Sequence, residues 1–290
     1  MTEAPVTDAP SGTFLARNEF LIRRLHSLSG IIPVGAYMVV HLLTNSTVLD
    51  SPLTFQKNVY TIHSLGSLLP LVEWVFIFLP LLFHGIFGVV IIRGGLPNNS
   101  SYKYTSNVRY TLQRATGMIA LLFILWHVFH MHGWIHSEWW SKGVATPLFG
   151  GQFKPYNAAS SAAEALSPLI VQILYAIGIL SCVFHLANGI WTFGITWGIW
   201  VTPAAQKWAT TACVIFGLGL SVVGLSALGG FATKSKEQIE QMRAEENNMY
   251  EKKTASGDVT KDDHKRWHGP ANQAHVPTEP AATEPANESK

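Results

Sequence analysis

The sequence predicts an all-α membrane protein with five transmembrane helices, on three observations. Of its 290 residues 48% are hydrophobic and only 13% charged, about half the charged share of an ordinary soluble domain. The apolar residues come in blocks, unlike the pattern of a single amphipathic core. Five places run free of Asp, Glu, Lys and Arg, residues 25–49, 74–92, 115–137, 165–206 and 208–233. A hydrocarbon layer about 30 Å thick takes roughly 20 residues of helix, so each run supplies one span.

The fourth run holds 42 residues, too many for one span, and reads as a helix followed by an aromatic interfacial stretch. Trp191, Trp197 and Trp200, then Pro203, fit that role. Residues 1–20 form a short leading segment with Glu3 and Asp8, unlike the basic start of a cleaved signal peptide. Residues 21–232 are the five-helix domain. Residues 233–290 are dense in charge, poor in aromatics, and carry Pro270, Pro277, Pro280 and Pro285, so this tail is expected to be disordered and is assigned no chemistry. Cys182 and Cys213 both fall mid-helix, as packing residues; two cysteines are too few for an iron–sulfur cluster or a structural zinc site.

Charge sets the expected orientation. Arg17, Arg23, Arg24, Arg93, Lys103, Arg109, Arg114 and Lys207 fall on the N-terminal side, against Lys57, Lys142 and Lys154 on the other. The positive-inside rule puts the N-terminus in the cytoplasm and the C-terminus outside, in the cell inner (cytoplasmic) membrane. Lys234 and Lys236 open the outward tail against this trend, although long segments translocate largely regardless of charge.

Four of the twelve histidines lie deep in apolar runs: His41, His84, His127 and His185, one in each of helices I to IV. Ionisable residues at that depth are rare and usually functional. At ~1.5 Å per residue, His41 lies about 25 Å beyond Arg24 and His127 about 20 Å beyond Arg114, near the outer face. His84 lies about 13 Å from Arg93, and His185 is likewise past the middle of its inward-running helix. The four sort into two level pairs, His41 with His127 outside and His84 with His185 inside. Two neutral imidazoles on facing helices are what a b-type haem requires at its iron, with no open position left for oxygen. Helices I–IV are therefore expected to form a haem-binding four-helix bundle holding two haem b.

Small residues at helical spacing should leave room for the porphyrins. Gly85 and Gly88 follow His84, and Gly189 follows His185; Gly30 and Gly117 sit about three turns below the outer ligands, and Gly178 is placed to face the outer haem. Ser29-Gly30 and Thr116-Gly117 precede the outer ligands, and Phe-His-x-x-x-Gly recurs at Phe83 and Phe184. This weak internal repeat reads as an approximate twofold axis. The competing reading makes each histidine a hydrogen-bonded core residue, which four in matched pairs disfavour. Zinc or copper sites would want Cys or His clustered in one coordination sphere. In the cluster of His127, His130, His132 and His136, the last three read as interfacial residues, with proton handling as the alternative.

The segments RRLHSLSGIIPVGAYMVVHLL, FLPLLFHGIFGVVI, LQRATGMIALLFILWHVFH and VFHLANGIWTFGITWGIWVTP resemble the single-subunit, two-haem cytochrome b that anchors succinate:quinone oxidoreductases and fumarate reductases. The likeness covers roughly residues 14–228. It implies His41 and His127 as ligands of the distal haem and His84 and His185 of the proximal one. It also implies that His26 and Ser27, with Arg23 or Arg24, meet the proximal propionates; plain positive-inside anchoring is the other reading of the arginines. The acidic N-terminus, the His-rich loop after helix III and the long tail depart from the family pattern.

The chain carries no GxGxxG fingerprint and no cluster-ligating cysteines, so it is non-catalytic for succinate by itself. The resemblance implies flavoprotein and iron–sulfur subunits as partners and a quinone, menaquinone first, as electron acceptor; no nucleic acid is expected. Glu73, eleven residues before His84, is the candidate for quinone protonation, and an interfacial carboxylate is its alternative reading. Two other functions compete: the haem subunit of a fumarate reductase or another quinone-linked dehydrogenase, and a proton-coupled transporter. Cytochromes of the bc type place two ligands thirteen or fourteen residues apart on one helix, which this chain does not. Transporters favour buried mid-bilayer acids, and only Glu73, near one rim, comes close.

Overall fold

The computed structural model describes residues 17–94, 104–135 and 137–267. Five helical segments among them are long and apolar enough to cross a membrane: I, Glu19–Leu49; II, Gly66–Arg93; III, Thr105–His132; IV, Leu169–Thr196; and V, Pro203–Ala232. The chain is an all-α, multi-pass membrane protein. Large apolar side chains face outward along every span, for example Val40, Phe76, Leu122, Ile173 and Ile215. That pattern is expected where the solvent is lipid and burial inside the protein gains little.

Two spans are interrupted, each at a proline. Span I is α1 (Glu19–Ile31) and α2 (Val34–Ser46). Ile32 adopts an extended conformation before Pro33, as the proline ring demands of the residue that precedes it. Span II contains α4 (Leu69–Glu73), a π-helical turn at Trp74–Phe78, and α5 (Leu79–Arg93), with α3 (Pro52–His63) in the loop before it. Pro80 has no N–H to give and its ring crowds the carbonyl four residues back, so the widened turn sits where an α-helical ladder would fail. Span III is α6 (Thr105–His132), ended by Gly133 in the left-handed conformation at φ 82°, a helix stop glycine adopts without strain.

Span IV packs most closely on III and V, span V also on I, and span II mainly on α1, with a looser seam to III. The long fourth apolar run divides as its composition predicts: the helix ends at Thr196, and residues 197–202 turn before span V. Trp200 tucks back, its indole N–H donating to the Trp191 carbonyl at 2.8 Å.

One end of the bundle carries Arg23, Arg24, Arg93, Arg109 and Arg114 and is called the basic end. The other is covered by a cap built from α3, the segment joining III to IV, and the C-terminal segment. Between III and IV lie α7 (Glu138–Trp140) and α8 (Ala158–Ala165). The cap contradicts the expectation of disorder from residue 233 onward, because α11 (Lys236–Ala255) follows span V, itself α10 with α9 as span IV. Ser235 and Gln238 form a capping box at its start. Ile239 and Met242 enter an apolar core with Phe55, Val59, Ala159, Ala163 and Phe231. Glu246 is fully buried, accepting hydrogen bonds from the Ala159 and Ser160 amides and the Ser160 hydroxyl at the start of α8. Residues 268–290, including Pro270, Pro277, Pro280 and Pro285, lie outside the described residues.

Candidate functional site

The four span histidines meet in the pairs their depth predicts. The rings of His84 and His185 are 6.0 Å apart between centroids and cross at 82°; those of His41 and His127 are 5.9 Å apart and cross at 76°. With metal–nitrogen bonds of about 2 Å and about 1 Å from nitrogen to ring centre, two imidazoles on one ion stand roughly 6 Å apart. Both pairs fit that spacing.

The protonation pattern at the basic end also suits a ligand. His84 Nδ1 lies 2.9 Å from the His26 carbonyl and His185 Nδ1 3.0 Å from the Gln113 carbonyl. A carbonyl only accepts, so each Nδ1 carries the proton and each Nε2 keeps its lone pair. Gly30 and Gly117 follow those carbonyls by four residues, and besides lining the cavity expected of a porphyrin slot they have a second purpose. A Cβ on Gly117 would meet His185 Cε1 at 2.7 Å, and one on Gly30 would overlap the His84 ring. These glycines admit the neighbouring span's imidazole to the main chain. The repeat extends further: Gly88 faces His26, and Gly189 faces Gln113. Gly178 departs from its expected place against a haem; the Phe123 ring fills the space over it, and Phe123 in turn stacks on His127.

A cavity of about 680 Å³ opens beside the basic-end pair, lined by His84, His185, Gly85, Gly88, Gly117 and Gly189, with Arg23, His26, Ser27, Arg109 and Arg114 also on its wall. Its volume is that of a cofactor-sized site. Arg24 is not among the lining residues; its guanidinium lies over Phe20 and Trp197, 5.0 and 5.1 Å from the ring centroids. His26 stacks on His84, 4.1 Å between centroids.

Sequence reasoning missed Arg109, Gln113 and Asn188. Arg109 Nε donates to Asn188 Oδ1 at 2.9 Å, Asn188 Nδ2 to Gln113 Oε1 at 2.8 Å, and Gln113 Nε2 to the His185 carbonyl at 3.1 Å. The arginine also lies over the Trp191 ring at 3.8 Å. The signal was present: residues 109, 113 and 117 recur every four positions, on the helix face that carries the histidine-admitting glycine.

At the capped end His130 is buried, not interfacial, at 5% exposure. It stacks on Trp126, and its Nδ1 lies 2.8 Å from the Tyr175 hydroxyl. His132 packs near Phe78, and His136 lies outside the described residues. Glu73 is half-buried at the end of α4. The π turn between it and His84 rotates it by roughly 100° from the face an unbroken helix would give it. The π turn that follows it packs against α2 of span I, which carries Tyr37 beside His41, 5.6 Å between ring centroids.

Apolar spans that face partly buried imidazoles to one another in pairs are the arrangement that a membrane-embedded cytochrome of the b type requires. The chain is 37% identical over 213 residues to the succinate dehydrogenase cytochrome b558 subunit of Bacillus subtilis, an alignment that spans 73% of this chain and 97% of the relative. It belongs to the family of cytochrome b membrane-anchor subunits of succinate dehydrogenase. No family model matches the sequence.

Proposed function

We propose that the chain anchors succinate dehydrogenase in the cytoplasmic membrane as a two-haem cytochrome b and passes electrons from an iron–sulfur subunit to a quinone. The observation that carries the reading is the pair of matched ring separations, 6.0 and 5.9 Å, one at each end of the bundle. Haem b, when bound, supplies one-electron transfer. His84 and His185 would hold it at the basic end through Nε2, and His41 and His127 at the capped end. Arg23, Arg109 and Arg114, with His26 and Ser27, would meet the propionates at the basic rim, where arginine pairs well with carboxylate. The lining of the cavity favours Arg23 over Arg24 for that role.

The charge distribution supports a cytoplasmic basic end, where the flavoprotein and iron–sulfur subunits would dock, and an outward cap. Glu73 would exchange a proton with quinone, menaquinone in the first instance; its place next to the π turn that packs on the Tyr37–His41 segment of span I supports a site near the outer pair.

Adding succinate to membranes that contain the assembled complex should reduce b-type haem, read by its absorbance. Failure with an active flavoprotein present would sink this reading in favour of the haem subunit of a fumarate reductase or another quinone-linked dehydrogenase. Glu73→Gln should retain both haems and slow quinone turnover; unchanged turnover would remove Glu73 from the mechanism.

A further inference from the structure

We infer that Tyr175 is a positioning residue for His127, orienting it through a hydrogen-bond chain that ends on His130. The inference rests on the two-haem reading above and concerns the capped end only.

Tyr175 projects from α9 onto one face of α6. Its ring lies 5.3 Å from Phe123, 5.3 Å from Trp126, 5.4 Å from His127 and 5.8 Å from His130, between centroids. Those positions run i, i+3, i+4, i+7, so a single helical stripe encloses the phenol. Tyr175 is 5% exposed, and a hydroxyl so buried needs partners. It has two, His127 Nδ1 at 3.2 Å and His130 Nδ1 at 2.8 Å.

One assignment gives each of the protons in these two contacts an acceptor. A neutral imidazole has one N–H and one bare nitrogen; a phenol has one O–H and accepts at oxygen. With Nε2 of His127 committed to iron, its Nδ1 carries the proton and donates to the Tyr175 oxygen. The Tyr175 O–H then donates to His130 Nδ1, which leaves the His130 proton on Nε2. Trp126, stacked on His130 at 5.0 Å and 8°, holds the end of the chain in plane. A hydroxyl that is itself donating is a better acceptor, so His130 strengthens the bond that orients His127. Partners of this kind raise the basicity of a metal-bound imidazole and lower the reduction potential of its metal.

The test is potentiometric titration of the purified complex, with each ferric haem followed by its own low-spin EPR signal. Tyr175→Phe should keep two haems per chain and raise the potential of one by roughly tenfold in the reduction equilibrium, about 59 mV for one electron, leaving the other unchanged. His130→Leu should shift the same haem in the same direction by less. His130→Gln, whose amide oxygen can accept from the tyrosine, should restore the original value. The histidine pair of variants decides the matter if Tyr175→Phe releases its haem. Two haems with neither potential moved by Tyr175→Phe, or equal shifts for His130→Leu and His130→Gln, would overturn the inference and leave the two-haem reading intact. A wild-type complex with one haem would overturn both.

Discussion

At the basic end, each span histidine hands its Nδ1 proton to a main-chain carbonyl of a neighbouring helix, His84 to His26 and His185 to Gln113. At the capped end, His127 meets a side-chain hydroxyl instead, and a folded cap lies over that end of the bundle. A carbonyl inside a helix is fixed and always an acceptor, but the ring can reach it only where the helix has no side chain in the way, hence Gly30 and Gly117. A tyrosine needs no such gap, at the cost of a buried hydroxyl whose own proton must be placed. The basic end is therefore rigid by backbone geometry, whereas the capped end depends on a chain of replaceable side chains.

The largest effect expected from this contrast comes from closing the gap. Gly117→Val should abolish haem binding at the basic end while the capped end keeps its haem, so that haem content per chain falls by half. Retention of both haems would mean that the contact of the His185 ring with the Gln113 carbonyl is dispensable. Next, Met242→Ala, in the cap core, should destabilise the cap by about 2–5 kcal/mol, seen as faster hydrogen exchange in α11 and α8. Equal acceleration in the basic half of span III would show that the two ends do not unfold separately.

A smaller effect is expected for Arg109→Met, which breaks the Arg109–Asn188–Gln113 chain and should weaken haem retention at the basic end by about 10–100-fold. Dialysis against apomyoglobin would measure it, and an equal loss from the capped end would argue against a local role. The smallest is a pH slope. Burial raises the Glu246 carboxyl from its ordinary value to about 7, against the opposing pull of Ser160, the Ala159 amide and Arg243. A carboxyl with a raised native value binds more protons folded than unfolded. The cap should therefore lose stability as pH rises from about 4.5 to 7, by at most about 1.4 kcal/mol per pH unit. Glu246→Gln should flatten that slope in thermal unfolding, and a slope that survives would assign it to another group.

Much of the bundle was legible because lipid imposes a simple rule. A span must be helical, long and free of charge, so the five apolar runs mark five helices without reference to their neighbours. The levels of His41, His84, His127 and His185 followed from counting residues along rods of known rise. The cap was misread because charge density and proline were averaged over the whole tail. The Ser235–Gln238 capping box and the stripe of Ile239, Met242, Glu246 and Tyr250 were present locally. The face that Glu73 presents relative to His84 is not legible by counting along a regular helix, because Pro80 breaks the ladder and a π turn intervenes.

By itself, then, the sequence determined the number of membrane helices, the depth of the four span imidazoles and their pairing by level, since each depends on distance along one helix. Only the tertiary structure decided which carbonyl or hydroxyl each imidazole meets, which arginine reaches the cavity, and that residues 236–267 of the charged tail fold back into a cap. Those outcomes depend on rotation about helix axes and on partners about 50 to 110 residues away along the chain, which no local pattern encodes.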